Sequence, residues 1–367
     1  MRYAGIFCFA AVCCFVIGGM FIGGCSDDDE VSNPVPPKPL AGVWAPVGTG
    51  EGISFLGQAS AFTVYDSKLI LGGFFSSVDS VAVNNIAAWD GSSWAPLGGG
   101  ITGGPVRALT PWALPGFLIA GGGFDHAGGV SANNVAAWDG SNWFPLGSGR
   151  GDVVFALAEY MTVLFAGGDR DANGGWAFFN PMGGSWQTLS PDMYVSAFTI
   201  YDNKLIIGGS FSDIGSDSAD NIVAFTENMV IEPLGIGIQG SVFSLTVYNG
   251  KLIAGGYFSS AGGVSVNNIA AWDGSAWARL ETGLNSGVYG LTVVGNLLIA
   301  GGQFTNAGGT GGKYIAGWDG TSWKTLGTGT DGMVWAVTTL GNQVIAGGDF
   351  TAAGGVNAHG IASWTPQ

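Results

Sequence analysis

Residues 241–280 read SVFSLTVYNGKLIAGGYFSSAGGVSVNNIAAWDGSAWARL, and they hold one complete unit of the fold. Residues 241–248 form a first strand. Asn249-Gly250 is a tight hairpin turn, since both residue types tolerate positive φ. Residues 251–256 form a second strand that ends in a glycine pair. A longer polar loop spans 258–266, and residues 267–272 form a third strand. Asp273-Gly274 makes another tight turn, and residues 277–280 form a fourth strand. The two inner strands are almost continuously apolar, as in Leu252-Ile253-Ala254 and Ile269-Ala270-Ala271-Trp272. That pattern is expected where both faces of a strand are covered.

The unit recurs along the chain. An apolar run ending in a glycine pair begins its pair at Gly72, Gly121, Gly167, Gly208, Gly255, Gly301 and Gly347, with spacings of 49, 46, 41, 47, 46 and 46. A period near 46 falls in the range of propeller blades. An aromatic follows the first glycine by 17 positions in six of the seven repeats, at Trp89, Trp138, Phe225, Trp272, Trp318 and Trp364. Five positions later come Trp94, Trp143, Val230, Trp277 and Trp323. The third repeat is shortened and reaches Trp186 through an altered stretch, Phe178-Phe179-Asn180-Pro181. The seventh repeat ends three residues after Trp364, without a fourth strand. Residues 43–48 have the form of that missing strand, because Trp44-Ala45-Pro46 matches Trp94-Ala95-Pro96. The expected fold is all-β: a seven-bladed β-propeller of four-stranded antiparallel blades, the last closed by residues 43–48. Closure of that kind leaves no exposed sheet edge.

The unit resembles the Kelch repeat. Leu252-Ile253-Ala254-Gly255-Gly256 supplies the apolar run and glycine pair, and Trp272 and Trp277 supply the two aromatic positions. It departs from Kelch in placing Trp where Tyr is common, and in its Asp273-Gly274 turn. The resemblance covers residues 41–367. The Trp-Asp pairs are similar to those of WD repeats, but the Gly-His signature of that family is missing.

The N-terminus carries an address. Arg2 is the one charged residue before an apolar run from 4 to 22, which has the shape of a secretory signal. The run ends in Ile22-Gly23-Gly24-Cys25, which resembles a bacterial lipobox and implies cleavage before Cys25 and lipidation of its thiol. Residues 1–24 are thus expected to be a signal peptide, 25–40 an Asp- and Pro-rich tether, and 41–367 the propeller. An uncleaved membrane anchor is the other reading, since the run is long enough to span a bilayer. The acidic stretch Asp27-Asp28-Asp29-Glu30 is similar to surface-export signals of Bacteroidetes lipoproteins. The expected location is the cell envelope, at the outer membrane.

Composition narrows the function. The chain has 67 glycines and 14 tryptophans, which suits short strands and tight turns. A net charge of −15 repels phosphate backbones, so nucleic acid is not an expected partner. All four cysteines, Cys8, Cys13, Cys14 and Cys25, precede the repeats, so the body has no disulfide and no cysteine nucleophile. Copper radical oxidases are Kelch-like, but they need a cysteine–tyrosine cross-link and histidine ligands. His126 and His359 are the only histidines, which argues against metal sites. No cofactor, metal or catalytic residue is expected. Carboxylate pairs for glycoside hydrolysis are the form of catalysis left open.

Hairpin parity places the loops between second and third strands on one face, together with the Gly-rich loops that join the blades. Longer loops on a rigid scaffold tend to carry binding residues. The repeated tryptophans are expected in the core, and Asp90, Asp139, Asp273 and Asp319 in turns. Departures from the repeat give the candidate ligand-binding residues: Arg150, Asp169, Arg170 and Asp171. The expected function is a non-catalytic envelope binding module with a glycan or an envelope or extracellular protein as ligand. An assembly scaffold and a carbohydrate-active enzyme are the alternatives.

Overall fold

A computed structural model describes residues 39–54, 57–113, 116–169, 175–190, 192–212, 220–309 and 311–367. Cys25 and the rest of the leader and tether up to residue 38 lie outside the described residues, as do Arg170 and Asp171. Every regular element among the described residues is a strand.

Seven sheets each have a four-stranded antiparallel core. The innermost strands of blades 1 to 7 are Gln58–Tyr65, Val106–Trp112, Val154–Tyr160, Tyr194–Tyr201, Ile238–Tyr248, Val288–Val294 and Met333–Leu340. Each packs against the innermost strand of the next blade, and that of blade 7 packs against that of blade 1. Gly42–Pro46 is the outermost strand of the seventh sheet. It pairs antiparallel with Ile361–Pro366 and sets Trp44 opposite Trp364.

The glycine pair is explained by two different close approaches. A Cβ on Gly255 would lie 2.7 Å from Val288 Cγ1 of the next blade, and one on Gly208 would lie 2.7 Å from Val242 Cγ1. The first glycine thus lets neighbouring sheets approach. The second faces a backbone carbonyl of its own blade: a Cβ on Gly256 would fall on Ser241 O, and one on Gly348 on Met333 O. At the seam, a Cβ on Gly347 would meet Phe62 and Ala59 of blade 1.

The core lies between blades. One cluster joins Ile206 and Ile222 of blade 4 to Leu252, Ala270 and Trp277 of blade 5. Another joins Ile345 and Ile361 of blade 7 to Ala59, Leu71 and Ala87 of blade 1. The outer tryptophans also bond across the gaps. Indole Nε1 donates to a carbonyl of the preceding blade in Trp94→Val47 (3.2 Å), Trp143→Leu97 (2.9 Å), Trp277→Leu234 (2.9 Å) and Trp44→Leu326 (2.8 Å). A buried indole needs an acceptor, and this placement supplies one.

The loops on the long-loop face are more regular than their polar sequences indicate. Several fold into small hairpins, Ser77–Val78 with Val81–Ala82, His126–Ala127 with Val130–Ser131, and Ala352–Ala353 with Val356–Asn357. Their turn residues, such as Gly128-Gly129 and Gly354-Gly355, have positive φ. Two successive positive-φ residues make the turn type that matches strand twist. Asn85, Asn134, Asn221 and Asn268 lock these loops down, each at a φ near 60° (58°, 62°, 65° and 61°). Asn268 Oδ1 accepts from Phe258 N, and its Nδ2 donates to Leu284 O of the following connection.

Candidate functional site

The loops are therefore committed to the scaffold, which moves attention to the channel. One cavity of about 230 Å³ is lined by residues from all seven innermost strands. Each of these strands carries a β-bulge opposite the glycine pair. A bulge sets two residues against one and re-aims a side chain. The bulged residues are Ser60, Arg107, Phe155, Ser196, Phe243, Tyr289 and Trp335, and all line the cavity. The bulges sit near the start of each strand, so this ring of side chains lies toward the long-loop face.

The flanking positions hardly vary. Before the bulge come Ala59, Val106, Val154, Val195, Val242, Val288 and Val334, all buried. After it come Ala61, Ala108, Ala156, Ala197, Ser244, Gly290 and Ala336. Packing dictates both neighbours: the residue before the bulge meets the preceding blade, as Val288 does at Gly255, and the small residue after it makes room for the next, as Gly290 does at Val337. The bulged residue faces open space, and its chemistry ranges from serine to arginine to tryptophan.

Seven-fold order gives the ring two sides. Phe243, Tyr289 and Trp335 come from consecutive blades and form an aromatic arc. Phe243 and Tyr289 have centroids 5.7 Å apart, and Tyr289 stacks on Trp335 at 4.7 Å. Opposite the middle of that arc are blades 2 and 3. There the Arg107 guanidinium lies 5.5 Å from the centroid of Phe155, which in turn packs on Tyr194 at 5.0 Å. Burial pushes the Tyr194 phenol above its ordinary pKa. The Asp169 carboxylate adds to that rise, and the Arg107 charge works against it. The phenol is thus a neutral hydroxyl donor throughout the physiological range.

Of the residues expected from sequence to bind ligand, Asp169 is exposed and sits close enough to act on Tyr194. Arg150 is only 3% exposed. Its guanidinium pairs with buried Asp152 at 2.9 Å and lies 5.7 Å from the centroid of the Trp186 ring. Arg150, expected from sequence as a candidate ligand-binding residue, is instead turned inward, where Asp152 and the Trp186 ring take up its guanidinium. Neither Arg150 nor Asp169 lines the channel cavity. Sequence reading passed over the bulge column, although a signal was present. Trp335 is one of the three tryptophans off the two repeated aromatic positions, with Trp112 and Trp176. The bulged residue lies 12 positions before the first glycine in six repeats, and 14 before it in the second, whose first turn is longer.

Asp90, Asp139, Asp273 and Asp319 are turn residues, as their sequence context indicates. Asp273 Oδ1 accepts from Ser275 N and Ala276 N, both at 2.9 Å. Among the described residues, no group of three or more His, Cys, Asp or Glu is arranged to hold a metal ion.

The architecture defines the class: this is a β-propeller protein. A family described as a domain of unknown function with a β-propeller fold (DUF5122) matches residues 249–270. Comparison with curated proteins gives no match. Among solved structures, the chain is similar to the extracellular domain of a putative hybrid two-component system, BT4673, from B. thetaiotaomicron. The TM-score is 0.58 at 13% identity, over 89% of this chain and 40% of that one. It is also similar to the WD40 β-propeller domain of Doa1, with a TM-score of 0.53 at 14% identity over 91% and 98% of the two chains. The computationally designed Ika8 protein matches with a TM-score of 0.52 at 17% identity, over 87% of this chain and 99% of that one. At these identities the likeness is one of fold.

Proposed function

We propose that this chain is an exported, lipid-anchored binding module of Kelch-like repeats, and that it binds saccharides at the mouth of its channel without transforming them. The observation that carries this reading is the bulge column: its seven side chains differ in chemistry from blade to blade and all line one shared cavity. Aromatic faces with a few placed polar groups are how concave sites hold and orient small ligands. The cavity is smaller than the roughly 300–1,000 Å³ that enclose a drug-sized ligand. It suits one sugar ring at the end of a chain, with the rest of the glycan leaving across the loops.

Attachment to the outer membrane through Cys25 fits the lipobox and the acidic tether. Labelling cells with an alkyne fatty acid tests it, the expected result being label and membrane association that Cys25→Ala abolishes. An unlabelled wild-type chain would end that part of the reading.

The binding test uses full-length protein in detergent against a panel of glycans and bacterial surface polysaccharides. Trp335→Ala should weaken the retained glycan by about tenfold or more, each tenfold being 1.4 kcal/mol, with an unchanged melting temperature. Binding that survives in Trp335→Ala and in Tyr289→Ala would move the site elsewhere. Absence of any glycan binding, with envelope proteins captured by crosslinking in cells, would favour the scaffold.

A further inference from the structure

Resting on that saccharide site, we infer that it selects an acidic sugar, a hexuronate whose carboxylate is held by Arg107 while its ring lies toward the aromatic arc. Arg107 is the one charged residue in the bulge column. Its side chain is exposed, and no Asp or Glu among the described residues lies within ion-pair distance of it. Arg150, by contrast, has its charge taken up by Asp152. The Arg107 guanidinium carbon lies over the Phe155 ring, which holds the group at the cavity wall. A guanidinium matches a carboxylate fork to fork.

The surroundings sharpen the choice. The chain carries a net charge of −15, so an anion gains nothing from the general field of the protein. A lone arginine in that field acts at short range, on a carboxylate placed against it. The neighbouring Tyr194 phenol, kept protonated by burial, adds a neutral donor on the same side of the ring. The opposite side presents Phe243, Tyr289 and Trp335 and no charge. A ligand with one anionic edge and one broad, weakly polar face matches this division. A neutral sugar leaves the guanidinium without a partner, and an inorganic anion leaves the aromatic arc bare.

The test compares oligogalacturonate with its methyl ester, which differ at the carboxylate alone, by calorimetric titration of the full-length protein in detergent. The free acid should bind about tenfold or more tightly than the ester. Arg107→Ala should erase that difference, and Arg107→Lys should restore part of it. Trp335→Ala should weaken both ligands equally. Equal affinity for acid and ester would overturn the inference while leaving the saccharide site in place, as would binding of neutral glycans alone. No saccharide binding of any kind would remove the site itself.

Discussion

Blades 5 and 3 have the same strand order and opposite means of holding it. Blade 5 follows the repeat throughout. Ile238 is fully buried against Ala261 of the small loop hairpin, Gly240 follows at a φ of 132°, and Asn268 fastens the loop to the next connection. In blade 3 the position of Ile238 is taken by Arg150, and that of Gly240 by Asp152. Phe258, the buried aromatic after the glycine pair, has Arg170 as its counterpart. One blade is sealed by apolar packing and the other by a buried ion pair. A β-propeller demands that the space between blades be filled, and it accepts either filling.

The largest effect should come from breaking the ion pair. Arg150→Ala removes one member of a buried ion pair, which costs about 3–5 kcal/mol. The double change Arg150→Ile with Asp152→Gly installs the blade 5 residues and should recover most of that loss. Chemical unfolding of the three proteins at pH 7 provides the comparison. If Arg150→Ala unfolds at the wild-type midpoint, the pair contributes nothing and the contrast between blades is only apparent.

A middling effect is expected at the loop fastening. Asn268→Ala removes two side-chain bonds from buried backbone groups and places alanine at a φ of 61°. Left-handed backbone costs a residue with a Cβ roughly 1–2 kcal/mol, and the unpaired groups add to this. Gly175 stands at the corresponding connection of blade 3, with a φ of 71°. Asn268→Gly keeps the backbone and loses the bonds, so its melting curve should lie between wild type and Asn268→Ala. Equal melting of the alanine and glycine variants would show that the bonds, and not the conformation, do the fastening.

This contrast also explains which parts of the molecule were legible. The glycine pairs and tryptophans announce the blades because each has a steric or hydrogen-bonding role that recurs unchanged, as at Gly255 against Val288 and Trp277 on Leu234 O. Arg150 stood out for breaking the pattern, but a departure is equally the mark of an alternative core. Sequence does not say whether a charge at an inter-blade position finds a partner two residues away. The bulge column was missed for a related reason. Strand alternation assigns Val242, Phe243 and Ser244 to alternating faces, whereas the bulge at Phe243 breaks that alternation and turns its side chain into the channel. Loops were expected to carry the site because they are long. Their glycine pairs instead close tight hairpins over the outer tryptophans, as Gly262 does against Trp277.

The smallest effect separates the two outer turns, and it depends on pH. In blade 5 the turn is held by the carboxylate of Asp273, which accepts from the Ala276 and Ser275 backbone N–H groups. These bonds lower its pKa to about 2 from the usual 3.8. In blade 3 the neutral amide of Asn180 does the same work, accepting from Met182 N and Gly183 N. A depressed carboxylate pKa stabilises the folded state fully above the unfolded value, and that contribution fades as pH falls through the folded one. Asp273 should therefore steady its turn at pH 5 and above and lose hold between about pH 4 and 2. Asn180 should show no such window. Asp273→Asn converts the first turn into the second, and its effect is best read as the melting temperature of variant minus wild type across pH 7 to 2. The difference should be small and constant down to about pH 5, then move in favour of the variant as the wild-type carboxylate takes up its proton. A flat difference over the whole range would mean that the charge on Asp273 is immaterial, and that both turns rest on geometry alone.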